Sequence, residues 1–346
     1  MRRRQFLMQP LALALRTNKL EQAAELLQKA TASGELSAAV LLVRQAGGSF
    51  ARAFGKARSP QTVFLLASIT KPMTAAAVMV LADRKELALS DPVRKFIPEF
   101  RGGDRDLVTV RQLLTHTSGL PDMLPENEAL RKRHAPMAEF VALACSTPLL
   151  FRPGSEVRYQ SMGILLAAEI ARRITSMPFR EFMRRAVFDP LAMQNSSLGL
   201  GGRRIEDTAL CQVAGNDDWN WNSPYWLDFG APWGGAHAPA GDVARFLEYF
   251  LKPDGRMVSI GTAAQMIVDQ NKGLNEPRGI GFMVKPGSFG SQCSPRTFGH
   301  YGSTGTLAWA DPDTGTVFVL LTTKPASDSR DKLLAPAADL AAEAAL

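Results

Sequence analysis

Cysteine is scarce in this sequence: three residues in 346, Cys145, Cys211 and Cys293, at wide spacings and with no C-x-x-C. An odd number so placed supports neither a disulfide framework nor a zinc ribbon. Histidine is scarce too, and His116, His134, His237 and His300 never approach ligand spacing with one another or with a cysteine, so no metal site can be read. No segment approaches the roughly 18 uninterrupted apolar residues of a membrane span. Lys and Arg outnumber Asp and Glu by 40 to 33, a formal charge of +7, yet the basic residues are scattered and no block of five occurs. A surface that tracks phosphates would cluster its cations on one element, so nucleic acid is not an expected partner. Internal repeats and low-complexity tracts are also missing.

What remains is a folded chain, 46% hydrophobic and 21% charged, with 28 Gly and 22 Pro spread along it. Its length allows two domains or one unit with two lobes. Arg2, Arg3 and Arg4 before an apolar stretch look like a twin-arginine export signal, which would send the protein to the periplasm. The stretch ends at Leu15, is broken by Gln9 and Pro10, and has no clear cleavage site. Residues 1–18 are therefore read as a basic arm or a degraded signal.

Leu20, Ala23, Ala24, Leu26, Leu27 and Ala30 recur at helical spacing and predict an amphipathic helix over 20–32. Residues 37–44 and 49–55 read as a hairpin around Gly47-Gly48, and 304–310 and 316–323 as a second hairpin near the other end. An Ala/Leu-rich helix follows from about Ser329. Strands thus gather at both ends, with helix-periodic and loop segments between. The simplest architecture is a mixed α/β (α+β) domain over 19–346, with a sheet lobe from 19–90 and 255–346 and an inserted helical lobe from 91–254.

The sharpest local feature is Ser68-Ile69-Thr70-Lys71, after an apolar run and before a strongly helical one. On a helix, residues i and i+3 project from one face, which brings the Lys71 amine beside the Ser68 hydroxyl. A serine is a weak nucleophile until a base takes its proton, and a lysine kept neutral by burial can do so. The pattern alone is weak, because S-x-x-K arises by chance about once in a chain this long. Ser329-Arg330-Asp331-Lys332 repeats it, and there only a capping serine and a solvated lysine are expected. Context separates the two: Ser68 precedes a buried helix.

Ser68-Ile69-Thr70-Lys71 with its flanks resembles the serine β-lactamases and penicillin-binding proteins, in the class C branch with D-alanyl-D-alanine carboxypeptidases, D-aminopeptidases and β-lactamase-fold esterases. The segments LALSDPVRKFIPEF (87–100), VTVRQLLTHTSGLP (108–121), LLFRPGSEVRYQSMG (149–163), FDPLAM (188–193), WGGAHAPAGDVARF (233–246) and GHYGSTGT (299–306) resemble family segments in order. The resemblance spans roughly residues 36–323. It implies an antiparallel sheet flanked by terminal helices with an inserted helical lobe, and an acyl-enzyme on Ser68 without metal or organic cofactor. The implied substrate is a small ester, amide or peptide.

By that resemblance Tyr159 is the phenol that, coupled to Lys71, shuttles the Ser68 proton to the leaving group. A phenol with a pKa of about 10 would have to be pulled down by an adjacent ammonium to act as a base near neutrality. The family's tyrosine-x-asparagine is here Tyr159-Gln160-Ser161, and the Ser161 hydroxyl cannot replace both groups of the amide toward an acylamino substrate. The third motif is His300-Tyr301-Gly302, followed by Ser303. Its position implies that the Ser303 and Ser68 N–H groups form the oxyanion hole, with His300 and Gly302 on the substrate-facing strand. Neutral His300 in place of lysine attracts a substrate carboxylate less than a fixed ammonium does, which favours an esterase or D-amino-acid peptidase over an efficient β-lactamase. A non-catalytic binding module on the same fold is the rival reading. Trp219, Trp221, Trp226 and Trp233 fall between residues 216 and 235 and can either wall an apolar pocket, with Trp233 toward substrate, or plug the core. His116 invites a triad assignment, but the resemblance places its segment as a turn beneath the site.

Overall fold

In the computed structural model, residues 2–45, 48–215 and 218–345 are described, with side chains from residue 17. The side chains of the basic arm at residues 2–4, and Gly47 of the expected first turn, lie outside them. The first helix, α1, spans Arg2–Ala32, longer than the 20–32 periodicity predicts. Strands β1 (Ala38–Gln45) and β2 (Gly48–Gly55) form the first hairpin. The other hairpin is a three-stranded meander of β7 (Phe298–Gly302), β8 (Thr306–Asp311) and β9 (Thr316–Thr322). β1 pairs antiparallel with β9, so the two ends of the chain build one sheet of order β2-β1-β9-β8-β7.

Alternation along the strands divides the core between two faces. Leu41, Val43, Phe318 and Leu320 face one way, onto Leu20, Ala23 and Leu27 of α1 and Ala337, Ala338 and Ala341 of the final helix Ala335–Ala345. Val40, Leu42, Val317, Val319 and Leu321 face the other way, into a larger core with Phe246, Phe250 and the helix α2, Thr70–Asp83. The β9 segment is buried throughout because both faces are covered, which is why its sequence is apolar without alternation.

Strands are not confined to the ends of the chain. Four short ones, β3 (Val63–Leu65), β4 (Ser197–Leu198), β5 (Thr208–Ala209) and β6 (Ala236–Ala238), make a second sheet of order β4-β6-β3-β5. At two or three residues each they are too short for period-2 patterning to show. This small sheet matters because β3 leads directly to Ser68. The helix α2 packs on Met162–Thr175 of the intervening segment, so Ser68 stands where the large sheet meets the helices.

Candidate active site

Ser68 sits in a single 3-10 turn, Ala67–Ile69, that runs into α2. In a 3-10 turn residues i and i+3 eclipse, which sets Lys71 over Ser68. The Lys71 amine lies 3.0 Å from the Ser68 hydroxyl oxygen. Ala67 has φ of 47°, a left-handed conformation that a non-glycine residue adopts only when its surroundings hold it there. The holding groups are visible. Leu66 N–H donates to the Ala236 carbonyl (2.8 Å), while the Thr304 and Thr306 hydroxyls donate to the carbonyls of Leu65 (2.8 Å) and Leu66 (2.9 Å). Gly302 closes against the same segment: a Cβ there would stand 2.3 Å from the Leu66 carbonyl oxygen, so only glycine fits.

Tyr159 reaches Ser68 from a loop without regular structure. Its hydroxyl donates to Ser68 Oγ at 2.7 Å. The loop is fixed on both sides: Arg158 N–H donates to the His116 carbonyl (3.0 Å), and Gln160 N–H donates to His116 Nδ1 (3.2 Å). The His116 ring lies 5.0 Å from that of Tyr159 and is buried. His116 is thus a support for Tyr159, and burial holds its imidazole well below the ordinary pKa, hence neutral.

Lys71 is 1% exposed, and it donates a second hydrogen bond to the Trp233 carbonyl at 2.9 Å. Desolvation lowers its pKa from 10.5 to about 7; Asp122 opposes the shift and Arg278 adds to it. A neutral amine giving one hydrogen to Trp233 presents its lone pair to the Ser68 hydroxyl proton. Tyr159 moves the other way from the expectation drawn from the resemblance. Burial raises its phenol above the ordinary 10.0, so it stays protonated and serves as a donor. No cation pulls it down enough to make it a base: the Lys71 amine lies 4.7 Å over its ring, and contact with the hydroxyl runs through Ser68.

Ser68, Lys71, Tyr159, Ser161, Trp233 and Ser303 line one open cavity of about 470 Å³. Two of the residues singled out from sequence do not reach it. His300 is 2% exposed, its Nδ1 is 2.7 Å from the Tyr301 carbonyl oxygen, and burial keeps the ring neutral; Gly302 packs under Leu66. Their strand neighbour Tyr301 lines the cavity instead. Ser161 is on the wall, but its hydroxyl donates to Asp122 Oδ1 at 2.6 Å. The tryptophans are both wall and core: Trp221, Trp226 and Trp233 line the cavity, Trp226 and Trp233 are also buried in the larger core, and Trp219 packs on Trp226. Residues 216 and 217 of that loop lie outside the described residues.

Sequence reasoning missed Asp122, Arg131 and Arg278, all on the wall. Arg278 is 6% exposed, pairs with Glu276 at 2.6 Å, and its Nε and Nη1 are buried without a partner. Isolated charged residues between family-like segments carry no pattern; only the tertiary structure brings them together. Among the described residues no group of three or more His, Cys, Asp or Glu could hold a metal ion, and no helix is long and apolar enough to cross a membrane.

A buried S-x-x-K at the junction of a five-stranded antiparallel sheet and a helical lobe defines the serine β-lactamase and penicillin-binding-protein class of fold. A model of the Beta-lactamase family matches residues 23–343, and the chain belongs to that family. It is similar to Esterase EstB of Burkholderia gladioli, 36% identical over 170 residues that make up 45% of this chain and 43% of that protein. The chain therefore spans less than half the length of that curated relative. Among solved structures it is similar to EstCE1, described as a hydrolase with promiscuous acyltransferase activity (TM-score 0.79, 20% identity, 96% of this chain and 99% of that one). A penicillin-binding protein homologue from Caulobacter crescentus is similar too (TM-score 0.75, 23% identity, 95% and 98%). These last two likenesses are of fold.

Proposed function

We propose that the protein is a serine hydrolase that works through an acyl-enzyme on Ser68, as an esterase or D-amino-acid peptidase. The observation that carries this reading is the meeting of Lys71 and Tyr159 on one half-buried hydroxyl, at 3.0 and 2.7 Å, on the wall of a cavity open to solvent. Neutral Lys71 takes the Ser68 proton as Oγ attacks a carbonyl carbon. The oxyanion forms against the Ser68 and Ser303 N–H groups, an arrangement in which loss of one donor typically costs about 3 to 4 kcal/mol. As the tetrahedral species collapses, the proton passes to the leaving alcohol or amine, with Tyr159 donating to the oxygen that Lys71 has stripped. Water then attacks the ester by the same route, its proton going to Lys71 and the acid departing from Ser68.

An esterase or peptidase is favoured over a β-lactamase because His300 is neutral and set back from the cavity, while Ser161 spends its proton on Asp122. Esterase EstB supports the same direction. The test is a panel of p-nitrophenyl esters, D-alanyl peptides and a chromogenic cephalosporin. Ester or D-alanyl turnover lost in Ser68→Ala is the expected result. Turnover of the cephalosporin alone makes the protein a lactamase, and an inert panel makes it a binding module.

A further inference from the structure

We propose that Arg131 anchors a substrate carboxylate, so that the preferred substrates are half-esters or acylated acids carrying a free carboxylate apart from the scissile group. The inference rests on the hydrolase reading and names its substrate class.

Arg131 belongs to the short helix Asn127–Lys132 and is 5% exposed, yet it lines the same cavity as Ser68. Its guanidinium carbon lies 4.5 Å from the Trp219 ring and 4.2 Å from the Trp226 ring, and the two ring centroids are 5.6 Å apart, so the indoles pack on adjacent sides of the cation. The indoles hold the cation by cation–π contact and do not use its N–H groups, which leaves the N–H edge for hydrogen bonding. That edge is almost unused. Nη2 donates only to the Met123 thioether at 3.5 Å, a weak acceptor, and Nε is buried with no partner.

The carboxylates around it are engaged elsewhere: Glu128 accepts from the Trp219 indole N–H at 3.2 Å, and Asp122 accepts from Ser161. Among the described residues none forms an ion pair with Arg131. Burial lowers its pKa only to about 10, so it is charged at neutral pH. A buried, charged and unpaired arginine is costly unless something answers it. Among the described residues the cavity wall carries the cations Arg131 and Arg278 and the titrating Lys71 against Asp122 alone, and Arg278 already has Glu276. An unfilled guanidinium edge fits a planar carboxylate with two parallel N–H···O bonds. The charge that His300 fails to supply at the strand is thus supplied from the helical lobe.

The test compares aryl half-esters of succinate, glutarate and adipate with neutral acyl homologues of equal length, and 4-carboxyphenyl with phenyl acetates. The expected result is a kcat/KM at least about tenfold higher for the charged member of one series, the scale of a charge-assisted hydrogen bond. Arg131→Gln brings that charged-to-neutral ratio to about one, and Arg131→Lys leaves an intermediate ratio. Equal kcat/KM across every pair in the wild type overturns the proposal, as does an Arg131→Gln variant that keeps the preference.

A second measurement does not need turnover. In Ser68→Ala, monomethyl glutarate should change the tryptophan fluorescence saturably, because Trp219 and Trp226 flank the anchor, and dimethyl glutarate should not. If the wild type turns over no ester, D-alanyl peptide or cephalosporin, the hydrolase reading fails and this titration alone decides the role of Arg131. Matching responses to both glutarates, or no response to either, count against the anchor.

Discussion

The chain holds the same four-residue pattern twice, at Ser68-x-x-Lys71 and Ser329-x-x-Lys332, and the two differ in everything but spacing. Ser68 enters its helix through a 3-10 turn, where i and i+3 eclipse, so the amine comes to rest 3.0 Å from the hydroxyl. Ser329 ends the short helix Ala326–Ser329 and leads into a π-helical stretch, Arg330–Leu334, whose wider turn carries i+3 away from i. Its hydroxyl is fully buried and bonds back to the carbonyls of Lys324 and Pro325, both at 3.0 Å, while Lys332 is exposed. Ser329 is therefore not the N-terminal cap that its sequence suggests. A spacing becomes a proton relay only when the turn type aligns the pair and burial removes water from the amine.

The widest separation between the two serines is expected on removing each hydroxyl. Ser68→Ala should lower ester kcat/KM by about 10⁴-fold or more, since loss of a nucleophile leaves only binding and oxyanion stabilisation. Lys71→Met is the next most damaging, and it also tests how burial acts on the pair. Below a pH of about 7 the wild-type amine is protonated and cannot take the Ser68 proton, so kcat/KM rises through that pH and levels above it. Arg278 lowers the Lys71 value and Asp122 raises it, so Arg278→Gln should move the inflection of the pH–rate profile up and Asp122→Asn should move it down. Movement of both in one direction contradicts a lysine base.

The same burial has a stability consequence. Between about 7 and 10.5 the unfolded chain holds the lysine proton and the folded chain does not, so wild-type stability rises with pH across that window. Lys71→Met removes the rise. It should raise Tm most at pH 7 and below, with the gain shrinking toward pH 10.5, as thermal melts in a pH series would show.

The contrast also marks where sequence stops being informative. The sheet joined from both ends was legible because strands of five to eight residues show alternation or continuous apolarity. Ser68, Lys71 and Tyr159 were legible because each sits in a family-like segment. The short strands that aim Ser68 were not, since two or three residues carry no period. Nor were the wall residues Asp122, Arg131 and Arg278, whose role lies in an unanswered charge rather than a pattern. The direction of the Tyr159 shift was misread for a related reason. A sequence shows that a phenol and an ammonium are both present, but their relative desolvation depends on depth, and here desolvation raises the Tyr159 value and lowers that of Lys71.

A smaller loss is expected at Tyr159. Tyr159→Phe removes one donor from Ser68 Oγ while leaving the Lys71 contact, so kcat should fall by about 10² to 10³-fold, the scale of a single preorganised donor. Because the phenol of the wild type is already protonated, the inflection near pH 7 should persist in this variant. Its disappearance would assign that titration to Tyr159.

The smallest effect separates the two patterns most cleanly. Ser329→Ala removes one hydroxyl donor shared between two backbone carbonyls in a buried setting, which should cost about 1 to 2 kcal/mol and lower Tm by a few degrees. Ester kcat/KM should stay within about twofold, because the hydroxyl lies outside the cavity and touches none of its residues. Measured side by side, Ser68→Ala should abolish activity with little change in Tm, and Ser329→Ala should do the reverse. A matched loss of activity in Ser329→Ala would mean that the segment after β9 is coupled to Ser303, whose carbonyl accepts the Ala326 N–H at 2.9 Å. The inactive pattern would then act on the active one through the backbone of Ser303, the proposed second donor of the oxyanion hole.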